Sequence, residues 1–162
     1  MSTLEVKAIQ APSGYDLQMP AGHIVQVVQG TNDISYTQTS SSYVDAFSLA
    51  ITPKFATSKI LVIINGGAFA DAANSVTFTI FDTRLLRDST EVYQQDMWYL
   101  DARASGTLFG QQKFMTGWHY LDSPNTTNAI TYKVQSRWRG SGGTPSIGFD
   151  NGVTITLQEV AG

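Results

Sequence analysis

Apolar residues along this chain recur mostly at a spacing of two, and the runs between turn signals are short. The segment SVTFTIFD (75–82) sets Val76, Phe78 and Ile80 against Thr77 and Thr79. ITYKVQSRWR (130–139) sets Ile130, Tyr132 and Val134 against Thr131, Lys133 and Gln135, and GVTITLQEV (152–160) ends with Val153, Ile155, Leu157 and Glu159 on one face. A period of two is the mark of a strand with one buried face. HIVQVVQ (23–29), YVDAFSLAI (43–51) and KILVII (59–64) add further strands, with a weaker one over 33–38. Residues 84–104 are ambiguous and hold one or two short strands, around Leu85 and Met97 to Leu100. TLFGQQKFMTGWHYLD (107–122) reads as a long strand or a bulged pair, with Gly110 and Gly117 as bulge points.

Turn-forming residues separate these runs. TSSS precedes Tyr43, NGGAFADAANS (65–75) reads as a loop of small residues, SPNTTNA (123–129) as a turn and GSGGTPS (140–146) as a flexible loop. No segment carries a 3.6-residue apolar stripe over 11 or more positions, so helix is minor or absent. No connection is long enough for a crossover helix, which makes the pairing antiparallel. The expected fold is all-β: an antiparallel β-sandwich or jelly roll over residues 23–162, with an extended N-terminal arm over 1–22. In the arm Leu4 and Val6 alternate with polar residues, Ile9 follows, and APSG and Pro20-Ala21-Gly22 supply turns.

One run breaks the alternation. Ile60, Leu61, Val62, Ile63 and Ile64 are apolar on both faces of their strand. A sandwich strand normally has one wet face, and an exposed row of this kind invites aggregation unless covered. The cover is the arm, a loop or a neighbouring copy of the chain. The reading favoured here is a homotrimer with these five residues at its interface.

Composition then narrows the function. The 162 residues make one domain large enough to bury its own core. The net charge is −3 with no basic cluster, which argues against nucleic acid as a partner. There are no cysteines, so disulfides and thiolate metal sites are excluded. No apolar run reaches the ~20 residues that a membrane span needs, and residues 1–20 lack the basic start and apolar centre of a signal peptide. Membrane insertion is not expected.

Candidate chemistry is sparse. Of the ten aspartates, Asp96, Asp101, Asp122 and Asp150 lie in or near predicted loops; any two could meet as a carboxylate pair, but turn capping accounts for them more simply than catalysis. His23 and His119 are too few for a zinc site unless a threefold axis multiplies one of them. SGGT (141–144) lacks the Lys-Ser/Thr and the helix of a phosphate loop. No catalytic residue, metal ligand or cofactor is assigned, and no enzyme activity is expected. The aromatic set is more informative: Trp98 and Tyr99 lie beside Asp96, Asp101 and Arg103, with Trp118, Tyr120 and Trp138 further along near Arg137 and Arg139. Aromatic faces flanked by carboxylates suit sugars, so Trp98, Tyr99, Asp96, Asp101 and Arg103 form a candidate recognition surface on an outward loop, with core packing as the competing role, above all for Trp118 and Trp138.

Three stretches, ITPKFATSKILV, YLDSPNTTNAITYKVQ and GVTITLQEV, together with the opening STLEVKAIQAPSG, resemble small virion proteins of tailed bacteriophages, in particular phages of marine and freshwater bacteria. The resemblance spans nearly the whole chain and its motifs are structural. It implies a trimeric β-sandwich of tail-fibre or appendage type, assembled in the host cytoplasm and displayed on the virion. Leu4, Val6 and Ile9 would then attach the arm to other tail or capsid proteins, and the distal loops would meet a host-surface glycan. A capsid decoration protein of the same fold is the alternative, and a carbohydrate-binding or polysaccharide-degrading module a more distant one.

Overall fold

A computed structural model of the chain describes residues 20–32, 35–71, 78–101, 112–141 and 146–162. Within them lie ten strands and no helix: β1 (Ile24–Asn32), β2 (Tyr36–Gln38), β3 (Val44–Ile51), β4 (Lys59–Asp71), β5 (Phe78–Arg87), β6 (Thr90–Asp101), β7 (Gln112–Asp122), β8 (Ile130–Ser141), β9 (Ser146–Phe149) and β10 (Val153–Val160). Every pairing is antiparallel. The first sheet runs β1-β10-β4-β7, and β9 and β2 extend it beside the far half of β4. The second runs β3-β8-β5-β6.

β10 and β9 both run antiparallel to β4, on Lys59–Asn65 and Ala68–Asp71 respectively. They act as one interrupted strand, as do β1 and β2. Counted that way, eight strands form two four-stranded sheets, in which the first lies beside the last and the second beside the seventh. That nesting of outer strands around inner ones is the jelly roll, so the expected fold is what the chain forms.

The core lies between the sheets and follows the period-two pattern. Ile60, Val62 and Ile64 of β4, Val153, Ile155 and Leu157 of β10, Leu85 and Phe81 of β5, and Tyr132 and Val134 of β8 are almost wholly buried. Phe149 sits at the centre of an aromatic group, edge-on to Phe47 at 5.1 Å and tilted against Phe81 at 5.3 Å. Full burial of each such side chain contributes about 1.5–3 kcal/mol.

Three expectations are corrected. Residues 65–71 are not loop: β4 continues through them to Asp71, with Ala68, Phe69 and Ala70 buried. The small residues serve close packing there, since a Cβ on Gly66 would come within 2.6 Å of Val153. Residues 72–75 of that expected loop lie outside the described residues. Residues 84–101 are two full strands joined at Asp88 and Ser89, where Asp88 takes the left-handed conformation (φ 54°) and its carboxylate accepts from the Thr131 amide at 2.9 Å. An Asp without a following glycine made this turn hard to see. Gly117 is no bulge, because β7 pairs with β4 without a register shift from Ile60–Asp122 to Ala70–Gln112; Gly110 lies outside the described residues.

Candidate functional site

The run Ile60 to Ile64 divides by parity. Ile60, Val62 and Ile64 are 0% exposed and belong to the core, so they are not interface residues. Leu61 and Ile63 point the other way and are only half-buried. The sheet explains their apolar character. Register places Leu61 in a row across four strands, Val27–Gln158–Leu61–Leu121, and Ile63 in the next row, Gln29–Thr156–Ile63–His119. Val27 is 54% and Leu121 48% exposed. Ile24 on β1 and Met115 on β7 are exposed on the same face. The outward face of the first sheet is therefore apolar and open among the described residues.

The outward face of the second sheet is of opposite character. Lys133, Gln135, Arg137 and Arg139 of β8 face Asp82 and Arg84 of β5 and Asp45 of β3. Asp82 is wholly buried and accepts from Arg137 Nε at 3.0 Å and from Arg139 through Nε and Nη2. Arg84 bridges Gln135 at 2.7 Å and Glu91 at 2.9 Å. The guanidinium groups of Arg84 and Arg137 lie 4.0 and 4.5 Å from the centre of the Tyr43 ring, a double cation–π contact. Burial, the largest influence, raises the Tyr43 pKa. Hydrogen bonds from Lys133 and then Gln135 hold the Asp45 carboxyl below its ordinary value. In the sequence Arg137 and Arg139 stand out only as neighbours of the aromatics. Their i, i+2 spacing, which puts both on one strand face, was the signal for this cluster.

The acids are placed in structural roles. Asp122 is buried, with Arg87 Nη1 and the Tyr132 hydroxyl both donating to Oδ2 at 2.7 Å. Burial first, and the bond to Asp122 second, raise the Tyr132 pKa far above its ordinary value. Asp150 pairs with Lys113 at 3.1 Å. Glu159, at the end of β10, is 0% exposed and accepts from Gln26 Nε2 at 2.6 Å and from the Lys54 and Phe55 amides at 2.8 and 3.1 Å. Burial raises its pKa, but hydrogen bonding, with Gln26, Phe55 and Lys54 among the donors, outweighs burial and leaves it lowered. Glu159 thus ties the β3–β4 connection to the mouth of the sandwich.

Asp96, Trp98, Tyr99 and Asp101 lie on strand β6 and not on a loop, with Trp98 opposite Phe81 and Tyr99 opposite Ile80. Because β6 is the last strand of its sheet, they occupy an edge. Arg103 lies outside the described residues, as do Leu4, Val6 and Ile9 of the arm. Of the expected glycine loop 140–146, Gly140 and Ser141 belong to β8, Ser146 begins β9, and residues 142–145 are likewise outside. Trp118 is buried in the core with Tyr93 stacked on it at 5.4 Å, and Tyr93 also stacks on Tyr120 at 5.3 Å. Trp138 packs against the core and donates from Nε1 to the Thr39 carbonyl at 2.8 Å. Trp118, Tyr120 and Trp138 therefore serve packing. Among the described residues no group of three or more His, Cys, Asp or Glu side chains is placed to hold a metal ion.

No family model matches the chain, and no curated protein matches it. Solved structures do. That of the infectious bursal disease virus Gt strain is 13% identical over 97% of this chain and 43% of that one, with a TM-score of 0.49. The Gx strain of the same virus gives 14%, 96%, 45% and 0.45. Dimeric latent PorU from Porphyromonas gingivalis gives 7%, 92%, 14% and 0.46. The chain spans less than half the length of each of these proteins. With TM-scores below 0.5 the likenesses carry no functional reading, and the jelly roll rests on the chain's own strand order.

Proposed function

We propose that this protein is a non-enzymatic structural component of a bacteriophage virion, a small trimeric jelly roll of tail-fibre or appendage type. The observation that carries the reading is the contrast between two outward faces: one apolar and open, the other held by interlocked charges. The carboxylates of Asp82, Asp122 and Glu159 each accept from two or more donors, which suits a framework better than a reaction centre. The sequence resemblance to phage virion proteins supplies the setting. In this reading the arm, through Leu4, Val6 and Ile9, joins other virion proteins. The edge strand β6, with Asp96, Trp98, Tyr99 and Asp101, and the following segment with Arg103, meets a host-surface glycan. Assembly takes place in the host cytoplasm.

A capsid decoration role uses the same apolar face without any receptor contact. Particles lacking the protein separate the two. Intact particles with impaired adsorption support the appendage. Particles that adsorb normally but lose their contents on mild heating support decoration. Particles unaffected in both respects overturn a virion role.

A further inference from the structure

We infer that the outward face of the β1-β10-β4-β7 sheet is a self-association surface, and that its occupant is the same face of another copy of this chain. The inference deepens the proposed function by replacing its interface residues: Val27, Leu61, Ile63 and Leu121 form the contact, and Ile60, Val62 and Ile64 do not.

All four large hydrophobic side chains that are exposed among the described residues, Ile24, Val27, Met115 and Leu121, belong to this face. Its two central rows contain Gln158, Gln29, Thr156 and His119 beside the apolar residues but no Asp, Glu, Lys or Arg. The charges sit at its ends: Lys59 opposite Val160, and Lys113 with Asp150. An uncharged centre with a charged rim is the anatomy of a protein interface. The face is about 19 Å wide, from four strands about 4.8 Å apart, and about 26 Å long over eight residues. That is about 500 Å² per copy and about 1,000 Å² between two, the lower limit for a specific interface. A second copy supplies an equally flat, equally uncharged surface of matching size, and two sheets stack face to face about 10 Å apart. The opposite sheet cannot serve as the partner surface, because Arg84, Lys133, Arg137, Asp45 and Glu91 would have to be stripped of water against Leu61 and Leu121.

The test is the mass of the full chain by light scattering across a concentration series, for the native protein and for Leu121→Lys and Val27→Lys. Ala50→Lys, an exposed position on β3 of the other sheet, is the control. The native chain and the control associate. Each face variant needs about tenfold or more protein to do so, the equivalent of one lost buried apolar side chain, and melts as an isolated domain without loss of its β circular dichroism. Unshifted association in both face variants overturns the inference, as does a native chain that is monomeric throughout. A native dimer supports the face and overturns the trimer of the proposed function, so the two can fail separately. Because the chain has no cysteine, Leu121→Cys supplies a unique thiol. Its labelling slows with concentration if a second copy covers the face. Labelling that is slow even at dilutions where the chain is monomeric means that residues 1–19 or another part of the same chain cover Leu121, and this too overturns the inference.

Discussion

Replacing Glu159 with Gln removes one charge and keeps the shape, so its cost can be worked from the bonds that the carboxylate accepts. One oxygen takes the Lys54 and Phe55 amides at 2.8 and 3.1 Å, and the other takes Gln26 Nε2 at 2.6 Å. A Gln side chain offers one carbonyl oxygen and turns an NH2 toward the remaining donor or donors. At least one buried donor then loses its acceptor, which costs about 1–3 kcal/mol. For a chain of this size each kcal/mol lowers Tm by about 2–4 °C, so the variant melts about 2–12 °C below the native protein at pH 7. The pH dependence has a definite sign. The Glu159 pKa is lowered in the folded chain, so the carboxylate stabilises the fold above its unfolded value, and that contribution is lost as pH falls through the folded value. Scanning calorimetry from pH 7 to pH 3 should therefore show the gap between native and Glu159→Gln narrowing below about pH 4.5. A gap that is absent at pH 7, or one that widens on acidification, refutes the claim that Glu159 is an ionised anchor for the β3–β4 connection.

Along β4, Ile64→Ala should cost about 2–5 kcal/mol in chemical denaturation, whereas Leu61→Ala, measured in the Leu121→Lys background, should cost about 1 kcal/mol or less; equal costs would contradict the division by parity. Asp82→Asn leaves Arg137 and Arg139 without their shared anion and should destabilise by more than the ~1 kcal/mol of a surface pair and less than the ~3–5 kcal/mol of a fully buried one, because both arginines keep some water contact; a neutral result would show the charges to be independent. Gly148→Ala drives a methyl into the Tyr36 carbonyl and the Phe69 ring and should lower Tm by detaching β2 from β9; an unchanged Tm refutes that contact. Trp98→Ala with Tyr99→Ala should weaken adsorption of particles to host cells at unchanged Tm if the β6 edge is the recognition surface, and a large drop in Tm would assign both rings to packing.

The fold was legible wherever one face alone is buried. ITYKVQSRWR and GVTITLQEV alternate because one side meets the core and the other meets water, and both are strands with the expected face buried. SVTFTIFD misleads: on β5 the core face carries Phe81 and Leu85, and Ile80, expected inside, shares the outward parity of Asp82 and lies opposite Arg139, while residues 75–77 lie outside the described residues. Legibility failed where other needs replaced alternation. Residues 65–71 look like a loop because Gly66 and its small neighbours let β10 and β9 approach closely, not because the chain turns. Residues 84–101 look ambiguous because outward positions there carry Arg84 and Glu91, which pair with each other and with Gln135 on β8 across strands that the local sequence does not show. The interface run was legible as an anomaly but not as a site. Five consecutive apolar residues cannot show which two point outward, and Val27 and Leu121, which complete the row, lie 34 and 60 residues away from Leu61 in the sequence. Only the pairing register brings them together.

A reconstruction of the virus particle that encodes this chain tests the central claim most directly. The account predicts jelly-roll density projecting from the tail or capsid, with the β1-β10-β4-β7 sheet of each copy covered by that of a neighbouring copy and Leu61 and Leu121 buried between them. Particles that contain no such domain, or that hold it as an isolated copy with that face open to solvent, would contradict it.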